Sequence, residues 1–394
     1  MVGIAVPGSS MIALDELVAT RRDLHAHPEL AFEETRTASV IAANLRALGL
    51  TVREGVGRTG VVADLGRPGS GPNLVLRAEM DALPVDEPEG SAFRSSATGV
   101  MHACGHDGHM AMLLGVAAEL AGRSEPLPGL IRFLFQPAEE IGAGAEAMLG
   151  DGALEGAAWD AILAVHLRPF LPVGRIGICR GAATARVGEF RVDVRGTGGH
   201  GGRPHVSTDA LLAAVEIVSS LQTLIAREVS AFDQAVLSVC TMHAGSTANV
   251  MPAEATFEGT VRAASDEVYQ RLFARIADVS VALGEAFRCA VETGRRDTMP
   301  PVRNDERVAE PARASAEAVV GAKRVVDIEP VMAGDDVAHF FEQVPGCYVF
   351  VGSAPTDARP ATPNHSPSWD FDEDALEIGA NVLLGTIDRL VEAG

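Results

Sequence analysis

The segment MHACGHDGHMAML sets His102, Cys104, His106, Asp107 and His109 within eight positions, directly ahead of an apolar run. Imidazole, thiolate and carboxylate are the donors that first-row divalent ions take from proteins, so this crowding points to a metal site. Three later places offer further donors. FLFQPAEE ends in Gln136, Glu139 and Glu140; AILAVHL ends in His166; TPNHSPSWDFDE carries His365 in a Pro-flanked loop. The first two places follow apolar runs, and open α/β sheets bind ligands in the crevice beyond the carboxyl ends of their strands. Beside a metal, adjacent carboxylates divide two tasks: one ligates and the other takes a proton from water. Without a metal the same pair is a solvated strand end, and His166 an ordinary strand-end histidine. His25, His27 and Glu29 also look like a metal motif. Side chains two apart on a helix diverge, however, so structural or capping work fits them better.

The elements that must position these residues follow from periodicity. LDELVATRRDLHAHPEL and EETRTASVIAANLRALGL repeat apolar residues at helical spacing, the second stopping at Gly49. Short β-type runs at 60–65, 73–77, 130–135 and 161–165 alternate with helical stretches such as 110–120, which predicts an α/β domain with a mainly parallel sheet. From about Glu189 the rhythm becomes strand EFRVDVRG, helix DALLAAVEIVSSLQTLI, strands AVLSVCTMH and ATFEGTVRA, helix DEVYQRLFARIADVSVALGEAF and strand CAVETGRRD. That order, βαββαβ, predicts a ferredoxin-like unit. The expected organisation is a discontinuous α/β domain, residues 1–182 and 297–394, with the ferredoxin-like domain inserted at 183–296.

Composition narrows the partners. The 394 residues carry 32 Lys+Arg against 53 Asp+Glu, a formal charge of −21, which argues against nucleic acid as a partner. No unbroken apolar run reaches the roughly 18–20 residues of a membrane span, and MVGIAVPGSSMIALDEL lacks a basic region followed by an apolar core. Five widely spaced cysteines without a CxxC do not form a disulfide framework. A cytoplasmic protein with reduced thiols and no membrane partner is expected. Gly196-Thr197-Gly198-Gly199-His200-Gly201 matches GxGxxG formally, but Pro204 interrupts it before the helix and no second strand ending in an acid follows, so it does not read as a dinucleotide site.

RRDLHAHPELAFEE, LRAEMDALPV, MHACGHDGHMAML, FQPAEE, GTGGHGGRPH, NVMPAEATFEGTVR and NHSPSWDFDEDAL, in this order, resemble the M20 metallopeptidase and aminoacylase family. More narrowly they resemble its amidohydrolase branch of hippurate, N-acyl-amino-acid and auxin-conjugate hydrolases. The resemblance implies that Cys104, His106, Glu140, His166 and His365 ligate two divalent ions per subunit, with Glu139 as general acid/base and Asp81 as an orienting residue. A thiolate, three imidazoles and a carboxylate suit Zn²⁺, and affinity alone does not separate it from Mn²⁺ or Co²⁺. The chain departs from the branch pattern twice: Glu79-Met80-Asp81 replaces Asp-x-Asp, and Gly334-Asp335-Asp336-Val337 replaces Ser-Glu-Asp-Phe.

The resemblance further implies that the inserted domain is a lid that dimerises, that its His200 reaches a partner subunit's metal centre, and that Asn249 and Arg262 hold a substrate α-carboxylate. By periodicity alone Arg262 sits on a solvated sheet face, and His200 on a flexible exposed loop. The expected function is hydrolysis of the amide of a small N-acyl-L-amino acid by a homodimer. The alternatives are a dipeptidase or carboxypeptidase on the same metals, and a non-catalytic metal- or ligand-binding protein.

Overall fold

The computed structural model describes residues 12–69, 71–125, 128–357 and 359–393, so the N-terminal leader lies, as far as residue 11, outside the described residues. The chain divides into two compact units: Met1–Ala183 with Arg303–Glu329 and Asp335–Gly394, and Thr184–Val302 with Pro330–Gly334.

The first unit opens with α1 (Leu14–His25), α2 (Thr35–Ala47), β1 (Thr51–Val56), β2 (Gly60–Gly66), β3 (Asn73–Glu79), α3 (His106–Ala121), β4 (Leu130–Gln136), α4 (Gly144–Gly150), β5 (Ala161–Pro172) and β6 (Ile176–Ile178). The second unit holds β7 (Arg186–Arg195), β8 (Gly199–His200), α5 (Ala210–Glu228), β9 (Ala235–Ala244), β10 (Val250–Met251), β11 (Glu254–Ala263), α6 (Asp266–Ala286) and β12 (Ala290–Met299). The chain then returns to the first unit as α7 (Glu306–Val320), β13 (Val325–Asp327), α8 (Ala338–Phe341), β14 (Gly346–Ala354) and α9 (Asp374–Ala393).

In the first unit eight strands form one sheet in the order β1-β2-β4-β3-β5-β14-β6-β13. The pairs β4–β3, β3–β5, β5–β14 and β6–β13 are parallel, and the others antiparallel. The mainly parallel sheet expected from the alternating pattern is therefore present. Its central strands are buried on both faces, which is why they read as near-continuous apolar runs instead of alternating ones. Leu74, Leu76, Phe133, Phe135, Leu163, Val165, Val349 and Val351 share one core with Met110, Leu113 and Val116 of α3. Gly108 lets α3 approach β5 closely: a Cβ there would stand 2.9 Å from Phe371 Cζ and 3.0 Å from Leu167 Cδ1.

The second unit is the βαββαβ fold that its rhythm predicted, with antiparallel strands in the order β12-β7-β11-β9. Asp209 and Ser265 cap α5 and α6 by accepting the N–H groups of Leu212 and Val268. Ile217, Leu221 and Leu224 of α5 and Leu272, Phe273 and Ile276 of α6 share a core with Phe190, Val192 and Phe257 of the sheet. Among the described residues α5 is the one helix long and apolar enough to cross a membrane. Glu216, Ser219, Ser220, Gln222 and Thr223 interrupt its apolar positions, so it contains no unbroken apolar run of that length. Its Ala210, Ala213, Ala214, Ile217, Leu221 and Leu224 are buried inside the unit.

Candidate metal centre

The ends of β3 and β4, the start of α3, His166 on β5 and the loop before α9 meet in the first unit. His106 is the first residue of α3. Its Nδ1 donates to the Asp81 carbonyl at 2.8 Å, which turns Nε2 towards Glu140 Oε1 at 3.7 Å and Glu139 Oε2 at 3.8 Å. Asp81 Oδ2 accepts the Glu140 backbone N–H at 2.9 Å, so one aspartate places two of the predicted ligands. His166 donates from Nδ1 to the Leu167 carbonyl at 2.9 Å and presents Nε2 3.6 Å from Cys104 Sγ. His365 Nε2 lies 3.3 Å from Glu140 Oε2. Its own backbone is held by an N–H to the Ala103 carbonyl, 2.7 Å, in a left-handed conformation with φ +65°. Ala138, immediately before the acid pair, is left-handed too, at φ +53°. Such backbone costs about 1–3 kcal/mol in a residue with a side chain and persists where its surroundings impose it.

The donor set fits a divalent cation. Cys104, His106 and Glu140 offer ligand atoms within 4.8 Å of one another. His106 Nε2 and Glu140 Oε1 are buried without a hydrogen-bond partner among the described residues, and a cation would satisfy them. Electrostatics agrees. Burial alone would lower His106, but Asp81 and Cys104 outweigh it and hold the imidazole well above its usual range, so the site attracts positive charge. Burial pushes His166 down to about 3, which leaves its ring neutral and able to ligate. Burial, then the charges of Asp335 and Glu140, raise Glu139 well above the usual carboxylate range.

Sequence reasoning missed the support beneath these residues. Arg77 is buried at the end of β3 and donates to Asp335 Oδ1 and Oδ2 at 2.8 and 3.2 Å, to Asp336 Oδ1 at 3.2 Å and to Gln136 Oε1 at 2.8 Å. Tyr348 donates to Asp335 Oδ2 at 2.8 Å, while Asp336 accepts from Gln136 Nε2 at 2.6 Å and from the Ala145 N–H at 2.9 Å. The element that departs from the branch pattern is thus fully engaged. The available signal was a lone arginine in the apolar strand LVLRAE.

The clustered residues of MHACGHDGHMAML do not all face the centre. Asp107 turns to Arg21 at 2.8 Å and to His25 at 2.9 Å, and His102 is buried with both ring nitrogens unpartnered among the described residues. His25 is bound on both sides, to Asp107 and at 3.3 Å to Glu87. Glu29 accepts the Arg36 and Thr37 N–H groups at 3.0 and 2.8 Å, capping α2. These are the structural and capping roles that their spacing suggested.

His200, Asn249 and Arg262 belong to the second unit. His200 pairs with Val250 in the two-stranded β8–β10 ribbon, whose neighbouring turn accepts the Gly201 N–H on the Asn249 carbonyl at 2.9 Å. His200 is exposed, and its Nδ1 accepts the Gly202 N–H at 2.9 Å, so the ring proton resides on Nε2. Arg262 is half-buried on β11 and donates from Nη1 to the Met332 carbonyl at 3.0 Å.

Residues 75–389 match the model of peptidase family M20/M25/M40. The chain belongs to that family. Among its M20 relatives, the N-acetyl-L-cysteine deacetylase of Bacillus subtilis (strain 168) is 37% identical over 96% of this chain and 89% of its own length. Thermostable carboxypeptidase 1 of Saccharolobus solfataricus is 34% identical over 93% of each chain. A solved M20 structure, the YXEP protein of Bacillus subtilis, described as a dinuclear metal-binding peptidase, has a TM-score of 0.84 and 34% identity, covering 96% of this chain and 98% of that one. This M20 chain is accordingly a hydrolase, and its matched stretch contains every residue of the centre described above.

Proposed function

We propose that the protein is a metal-dependent amidohydrolase that cleaves small N-acyl-L-amino acids to a carboxylic acid and the free amino acid. Cys104, His106, Glu140, His166 and His365 hold two divalent ions, Zn²⁺, Mn²⁺ or Co²⁺. The observation that carries the reading is the position of Glu139. Its carboxylate is buried 3.8 Å from His106 Nε2, next to the ligand Glu140 and raised in pKa by burial. When bound, the ions supply Lewis acidity for the amide carbonyl and acidify water towards a pKa of about 7. Glu139 takes the proton of the attacking water and delivers it to the leaving nitrogen. Asp81 keeps His106 and Glu140 oriented through its carbonyl and carboxylate.

The second unit supplies the rest of this reading. The Nε2–H of the partner subunit's His200 donates to the developing oxyanion of the substrate carbonyl. Arg262 and Asn249 hold the α-carboxylate, a task suited to the two-pronged guanidinium. Homodimerisation is supported by the exposed Leu211, Leu212 and Val215 on α5 and by β9, an edge strand exposing Val236 and Met242. The five unpaired cysteines support a cytoplasmic setting.

The similar deacetylase favours an N-acyl substrate, whereas the similar carboxypeptidase favours a peptide. A panel varying acyl group and amino acid independently, assayed beside free dipeptides with metal analysis, separates them. Release of acid from blocked amino acids without dipeptide cleavage is the expected result; dipeptide cleavage alone moves the reading to a peptidase. Bound metal with no hydrolysis at all moves it to a binding protein. Mixed dimers of His200→Ala with Glu139→Gln should regain activity, and no recovery after full subunit exchange contradicts a shared site.

A further inference from the structure

Glu79, His106, His109 and His166 each present a donor atom within 4.8 Å of the others, an arrangement that invites a reading as a second ligand set. The hydrogen bonds at His109 argue against it. The Leu167 backbone N–H points to His109 Nε2 at 3.0 Å. A backbone amide only donates, so Nε2 is the acceptor and its lone pair is engaged. The ring proton therefore lies on Nδ1, 2.9 Å from Glu79 Oε2. The other Glu79 oxygen stands 2.5 Å from Arg77 Nη1. Arg77, Glu79 and His109 are all buried.

The sheet explains why such a chain is needed. β3 pairs with β5 as far as Arg77 and Ala164, while on its other side β5 continues alongside β14 past Leu167. Beyond Ala164 the Leu167 N–H has outrun the β3 ladder, and the His109 imidazole from α3 takes the place of a strand carbonyl. Leu167 in turn accepts the Nδ1–H of His166. Glu79, which stands where the branch pattern has aspartate, thus meets Arg77 with one oxygen and His109 with the other.

We propose that Glu79 and His109 are positioning residues and not ligands: the chain Arg77–Glu79–His109 fixes Leu167 and thereby aims His166 Nε2 at Cys104. The inference rests on the ligand set proposed above.

Cobalt titration of the full-length protein tests it, with absorption of the Cys104 thiolate–cobalt bond as the spectroscopic readout. His109→Gln preserves the chain, because the amide oxygen can accept from Leu167 and the amide nitrogen can donate to Glu79, yet it offers no imidazole. His109→Leu breaks it. The expected result is two Co²⁺ per chain and a wild-type spectrum for His109→Gln, with about ten- to hundredfold weaker binding of one ion in His109→Leu. If His109→Gln loses an ion as fully as His109→Leu, His109 is a ligand and the inference fails. If His109→Leu lowers thermal stability but binds both ions as wild type does, the residue only fills the core, and the inference fails again. Should His109→Leu not fold, His109→Gln decides alone: two ions uphold a positioning role and one ion overturns it. Wild type binding no cobalt overturns the ligand set itself, an outcome distinct from the other failures.

Discussion

Arginine meets acidic side chains in both units under opposite conditions. In the first unit Arg77 is fully buried against Glu79, Asp335 and Asp336, and Arg21, 1% exposed, bonds Asp107. In the second unit Arg191, 51% exposed, lies between Asp193 and Glu258, and Arg296, 71% exposed, lies against Glu189. Exposed pairs are screened by water and spend side-chain entropy to hold their geometry. Buried pairs gain less than their Coulomb energy suggests, because both charges were taken out of water, yet removing one partner leaves the other stranded. Burial of charge is therefore weak evidence of stabilisation and strong evidence of imposed geometry. Here the buried pairs border the candidate metal centre: Asp107 directly follows His106, and Asp335 and Asp336 act on Glu139.

The sharpest way to break this contrast is Arg77→Met. It strands three buried carboxylates and should cost about 3–5 kcal/mol, measured by urea denaturation, together with a loss of metal occupancy. A cost within the error of the titration would show the network to be dispensable. A smaller effect is expected at His25. Burial opposes its charge, but the bonds to Asp107 and Glu87 prevail and raise its pKa from 6.5 to about 9. The protonated ring stabilises the fold fully below about pH 6.5, and the contribution disappears as pH rises through about 9. Unfolding free energy should thus fall across that window in wild type and fall less in His25→Gln; parallel curves would contradict the pairing. The smallest effect belongs to the second unit. Arg191→Ala should leave the denaturation midpoint and the metal content unchanged, and a marked destabilisation would erase the distinction between the two regions.

Much of this organisation was legible in the chain. Continuous apolar runs marked the central strands, and the residues just after them, Glu139, Glu140 and His166, marked the carboxyl edge where the donors gather. The βαββαβ rhythm was readable where a strand buries one face and so alternates, as β7 does from Phe190 to Arg195 and β11 from Glu254 to Ala263. The contacts beneath the site were not legible. Arg77 and Asp335 are 258 positions apart and Arg21 and Asp107 are 86 apart, so no local pattern links them. Nor does spacing say which of several clustered histidines faces the centre: His106 and His109 lie within one turn of α3, yet one presents a free Nε2 and the other spends it on the Leu167 backbone. β1 was overlooked because TVREGV carries little apolar character and is largely exposed.

Metal analysis and turnover of Glu139→Gln, measured side by side on one preparation, test the central claim most directly. The amide keeps the size of the side chain but cannot take a proton. The account predicts two bound divalent ions, as in wild type, with hydrolysis of N-acyl amino acids slower by several orders of magnitude. Near-normal turnover would remove Glu139 from proton transfer, and loss of an ion would make it a ligand; either result contradicts the account.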